Sequence, residues 1–143
     1  MKYLLGNLVL CASLVWSVPV GAHKAKHSDP VKALHGGQAT TAGPYHLELV
    51  AKDGELVLYV TDHEDKAIPT AGARAKATIQ QGYEKARVQV ELEPSGDNTL
   101  KGTGTFTINP DTGIMVFLKL PDQEAYAARF TPLGQNKPPN KKG

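Results

Sequence analysis

The residues Tyr45 to Thr61 constrain the fold more than any other stretch of this sequence. Asp53-Gly54 stands between two apolar runs, and an Asp-Gly pair in that setting is the strongest short-range signal for a β-hairpin. A two-residue loop there fixes the register. Leu49 then faces Leu58, Leu47 faces Val60 and His46 faces Thr61. Side chains alternate along a strand, so Leu47, Leu49, Ala51, Leu56, Leu58 and Val60 form one aliphatic face. The other face carries His46, Glu48, Val50, Val57, Tyr59 and Thr61.

The same period of two recurs downstream. Ala86 to Glu93 alternates throughout, and Leu100 to Ile108, Ile114 to Leu120 and Ala125 to Thr131 read as further strands, with Ala75 to Gln80 a weaker one. Gly102 and Gly104 fall on the apolar side of their strand and mark a bend or close packing. Turn clusters at Pro94–Asn98, Asn109–Gly113 and Pro121–Gln123 separate the runs. Short strands at this spacing predict an all-β domain, an antiparallel β-sandwich of about seven strands with a small β-barrel as the alternative. The expected core is Leu47, Leu49, Leu56, Leu58, Val60, Val88, Val90, Phe106, Val116, Leu118 and Phe130.

The start of the chain has the three parts of a secretory leader: Lys2, the mostly apolar stretch Leu4 to Val18, and the small-residue site Val20-Gly21-Ala22. Residues 1–22 are therefore expected to be a signal peptide cleaved after Ala22, which places the protein in the periplasm. The apolar run falls short of the ~20 residues of a membrane-spanning helix, so no stable membrane insertion is expected after cleavage. About 120 residues remain, a usual single-domain size. They divide into a flexible lead-in arm at 23–44, the β domain at 45–131 and a disordered basic tail at 132–143.

Composition excludes several functions. Cys11 is the only cysteine and leaves with the leader, so thiolate metal sites and thiol nucleophiles are ruled out of the mature chain. Residues 45–131 hold nine lysines and arginines against thirteen aspartates and glutamates. An acidic domain with short basic ends lacks a nucleic-acid footprint. No serine stands in a nucleophile motif, and the chain is read as a non-enzyme.

The histidines carry the functional signal. All five, His23, His27, His35, His46 and His63, precede residue 64. The hairpin register puts His46 beside Thr61, with Asp62-His63-Glu64 just beyond, and His35-Gly36-Gly37 can fold back to the same end. Imidazoles with carboxylates suit zinc, copper or nickel. The expected ligands are His35, His46 and His63 with Asp62 or Glu64, binding Cu(II) in preference to Zn(II), because nitrogen and oxygen donors without thiolate follow the usual divalent affinity order. Cleavage after Ala22 would also leave His23 able to chelate copper through its amine and ring, but only with a second histidine held rigidly nearby. A periplasmic interaction module that binds no metal is the alternative function.

His35-Gly36-Gly37-Gln38, Tyr45-His46-Leu47-Glu48-Leu49-Val50, the run from Asp53 to Asp62, and Ile68-Pro69 resemble the small metal-associated N-terminal module of periplasmic adaptor proteins in bacterial heavy-metal efflux pumps, and similar stand-alone periplasmic proteins. The resemblance implies periplasmic metal handling or resistance, with His35 and His46 as ligand positions and a metal efflux component as partner. The sequence leaves no room for the coiled-coil hairpin, lipoyl-like and barrel domains that accompany this module in an adaptor.

Overall fold

The computed structural model describes residues 30–134, residue 84 excepted. The leader, Cys11, His23, His27 and the tail beyond Gly134 lie outside the described residues. Eight strands follow one another: β1 (Gln38–Ala42), β2 (Tyr45–Lys52), β3 (Glu55–Thr61), β4 (Arg74–Gln81), β5 (Arg87–Pro94), β6 (Thr99–Thr103), β7 (Thr112–Lys119) and β8 (Ala125–Phe130). All pairings are antiparallel, in the order β1-β2-β3-β6-β5-β4-β7-β8. The expectation of an all-β antiparallel fold holds, and of its two forms the barrel is the one found.

The expected sandwich would need a break between two sheets. The β5–β6 hairpin prevents it, because Glu93 pairs with Lys101 and Pro94 with Leu100 and so ties two four-stranded halves into one sheet. Gly102 permits a close approach at this corner, since a Cβ there would lie 2.4 Å from the Glu91 carbonyl oxygen. The far edges, β1 and β8, come side by side without a backbone ladder. Thr131 N donates to Gln38 Oε1 at 2.7 Å, and Tyr45 meets Tyr126 edge-to-face with centroids 5.5 Å apart. The result is a nearly closed barrel.

The β2–β3 register is the one the Asp53-Gly54 loop dictates, from His46 opposite Thr61 to Lys52 opposite Glu55. Its aliphatic face forms one wall of the core, where Leu47, Leu49, Leu56, Leu58 and Val60 are buried, facing Ile79, Val90, Ile114, Val116, Leu118 and Phe130. Of the expected core only Val88 is less than buried, packing on the cluster from its margin. The strand expected over Leu100 to Ile108 ends at Thr103. Beyond it the chain crosses the hairpin tip: Gly54 N donates to Phe106 O, Gly104 N to Gly54 O, and Ile108 N to Asp53 Oδ1. Phe106 is thereby buried without belonging to a strand.

The stretch read as a lead-in arm contains β1, which pairs with β2 from Gln38 opposite Leu49 to Ala42 opposite Tyr45. Its short Gln-Ala-Thr-Thr-Ala sequence has little apolar alternation, so pairing with β2 rather than its own pattern makes it a strand. No helix among the described residues is long and apolar enough to cross a membrane.

Candidate metal centre

Two imidazole–carboxylate pairs stand on the outer face of β2 and β3, built by different local structures. The first begins with Glu48, which points away from the core by strand alternation yet is buried, because residues 34–37 fold over it. Its Oε1 accepts from His35 N at 2.7 Å and Gly37 N at 3.0 Å. Its Oε2 accepts from Leu34 N and His35 Nδ1, both at 2.9 Å. The His35 ring lies flat on Tyr59, centroids 3.6 Å apart and planes within 2°. Gly37 must be glycine here, as a Cβ would lie 2.4 Å from the Leu49 carbonyl oxygen. Burial pushes the Glu48 carboxyl up, but the hydrogen bonds from Gly37, His35 and Leu34 outweigh it and hold the group below the usual carboxylate range.

The second pair comes from the turn after β3. Asp62 Oδ1 accepts from Glu64 N at 2.8 Å and Lys66 N at 3.0 Å, an Asx-type turn closed by Asp62 N to Lys66 O at 2.9 Å. The bonds from Lys66 and Glu64 hold the Asp62 carboxyl below its ordinary range. Asp65 takes a left-handed conformation, φ 61°, and Thr61 bridges Ala67. This fold-back returns the turn's side chains to β2. His63 Nδ1 lies 3.0 Å from His46 Nε2, the rings edge-on, and Asp65 Oδ1 lies 3.3 Å from His46 Nδ1.

The geometry has a direct chemical reading. A proton on His46 Nδ1, the nitrogen facing Asp65, would leave an Nε2 lone pair turned toward His63. Two nitrogens bound to one ion at ~2.0–2.1 Å stand roughly 2.9 Å apart at a right angle and roughly 3.3 Å apart at the tetrahedral angle. The observed 3.0 Å therefore suits a shared ion as well as a hydrogen bond. A carboxylate behind a ligand imidazole is the usual way such a ring is oriented.

The structure divides the five expected ligands. His46 and His63 are brought together. His35 lines the same narrow cleft as His46, with Tyr59, Thr61 and Asp65, but its Nδ1 is held by Glu48. Asp62 spends Oδ1 on its own turn, and Glu64 pairs with Lys66 at 2.8 Å in solvent. Among the described residues no three His, Asp or Glu side chains converge as a ready metal cage, so the expected five-residue set is not assembled. Two participants were not foreseen. Glu48 sits two positions from His46 on the same strand face, a signal present in the sequence. Asp65 belongs to the same polar run as Asp62 and Glu64, and only the turn's fold-back selects it.

No family model, curated protein or solved structure matches the chain.

Proposed function

We propose that this chain is an exported, periplasmic transition-metal-binding protein of metal handling or resistance, taking Cu(II) ahead of Zn(II), and not an enzyme. The observation that carries this reading is the His46–His63 pair, two ring nitrogens 3.0 Å apart with Asp65 behind one of them. The pair supplies two nitrogen donors, and water completes the coordination. With His63 in solvent and His46 only partly covered, the pair suits an ion that is acquired and passed on, for instance to an efflux component, rather than locked into a core. The absence of thiolate keeps the site within the class of nitrogen and oxygen donors, where copper binds most tightly of the common divalent ions. Imidazoles ligate only when neutral, so binding weakens as the solution is acidified.

Calorimetric titration of the metal-free protein with Cu(II), and then with Zn(II), tests this. One Cu(II) per chain is expected, with zinc displaced by copper from the same ligands. His63→Ala should lose at least an order of magnitude in copper affinity, the loss of one of two nitrogen donors. Equal copper binding by the parent and His63→Ala would remove the reading.

A further inference from the structure

The opposite wall of the barrel carries a second feature, independent of the histidines. In the strand order β4 and β7 stand four places from β2 and β3, so their outer faces look away from the metal centre. On β7 the run Ile114-Met115-Val116-Phe117-Leu118 is apolar at every position. Such a run belongs to a strand covered on both faces. Here only Ile114, Val116 and Leu118 face the core, while Met115 and Phe117 face outward and Phe117 is 50% exposed.

These outward side chains line a groove of about 480 Å³, within the size range of ligand sites. Its rim is cationic: Arg129 stands directly opposite Met115 on β8, and Arg87 reaches in from β5, its Nε donating to Gln80 Oε1 at 3.0 Å. Tyr83 stands fully exposed over one end. The floor is opened by Gly113, whose backbone is not left-handed and where a Cβ would meet only Arg129 Nη2 at 3.6 Å. Neither backbone conformation nor internal packing requires glycine there, and a strand glycine of this kind leaves room for an approaching ligand.

We propose that this groove is a docking site for an extended, acidic segment of a partner protein, with an apolar side chain seated over Met115 and Phe117 and its carboxylates on Arg87 and Arg129. Guanidinium groups bind carboxylates in a bidentate, directional way. The cationic rim runs against the charge of residues 45–131, which is net acidic, so it is not a by-product of overall composition. A concave groove with two rim cations fits a peptide better than a bilayer, whose anionic surface is recognised by clusters of about four to eight.

The test uses the full mature chain, metal-free, and a fluorescein-labelled peptide of alternating glutamate with phenylalanine and leucine. Fluorescence anisotropy should show saturable binding that weakens with salt. Arg129→Glu should lower affinity about tenfold or more, as expected for reversing a charge-assisted contact. Gly113→Val should do the same by filling the floor, and His46→Ala should leave binding unchanged. Amide shifts on peptide addition should centre on Gln80, Gly113, Met115 and Arg129, with both groove variants retaining the parent's β-sheet spectrum. The proposal is overturned by no saturable binding at about 1 mM peptide, by shifts centred elsewhere, or by undiminished binding in both groove variants. It is equally overturned by retention on phosphatidylglycerol vesicles without peptide binding, or by a dimer that Arg129→Glu dissolves.

Discussion

The two imidazole–carboxylate pairs on β2 and β3 use the same chemistry to different ends. Glu48 is buried and accepts four N–H groups, three from backbone and one from His35. Asp65 is exposed and meets one imidazole at 3.3 Å. A carboxylate withdrawn from water must be fully satisfied, and it then organises the backbone around it. A solvated carboxylate contributes little to stability but still orients a ring. The Glu48–His35 pair is thus a clasp that fixes residues 34–37 onto the barrel. The Asp65–His46 pair leaves the other ring nitrogen, Nε2, facing His63 Nδ1 at 3.0 Å.

The largest effect should come from breaking the clasp. Glu48→Ala strands several N–H groups or releases the loop to water, and should cost about 2–3 kcal/mol in denaturant unfolding. One Cu(II) per chain should still bind. If Glu48→Ala unfolds no more easily than the parent, the clasp is decorative.

Acid should separate the pairs without mutation. Glu48 has its folded-state pKa held below its unfolded value, so the stability it contributes is complete above the ordinary carboxylate range. That stability is lost as pH falls through the depressed folded value. Stability should therefore decline below about pH 4, the ordinary carboxylate range, while copper, whose ligands must be deprotonated, should already be released at higher pH. Parallel unfolding and copper-binding profiles across pH 3–7 check the order of the two events. Simultaneous loss would mean that one group governs both.

A smaller effect is expected at Asp65. Asp65→Asn should weaken copper binding about tenfold, the usual scale for losing a carboxylate behind a ligand imidazole, while unfolding shifts by less than about 0.5 kcal/mol. The reverse pattern, lower stability with copper affinity intact, would make Asp65 a turn residue only.

The contrast also marks where the sequence was legible. Asp53-Gly54 and the leucines around it determine both the β2–β3 register and the buried face, because loop geometry and hydrophobic pattern agree at every position from Lys52 opposite Glu55 to His46 opposite Thr61. The approach of His46 and His63 follows from the same register. The burial of Glu48 does not follow, since an outward strand position is normally wet and only the folding-over of residues 34–37 changes that. For the same reason the sequence of β1 reads as arm: Gln38 to Ala42 have no pattern that announces a strand until β2 supplies a partner. Closure into a barrel depends on the β5–β6 corner at Gly102 and the β1–β8 approach, which are long-range contacts that strand periodicity does not encode. Asp65 rather than Asp62 meets His46 because a left-handed residue turns the loop back, a detail below the resolution of a polar run.

The central claim is that the His46–His63 pair binds the metal and the His35–Glu48 pair holds the fold. Pulsed electron paramagnetic resonance of the Cu(II)-loaded protein tests this most directly by counting imidazole nitrogens on the ion. The account predicts that His46→Ala abolishes the parent's imidazole signature, while His35→Ala retains the couplings of two imidazoles and one equivalent of copper. A signature unchanged in His46→Ala would contradict it, as would one lost only in His35→Ala.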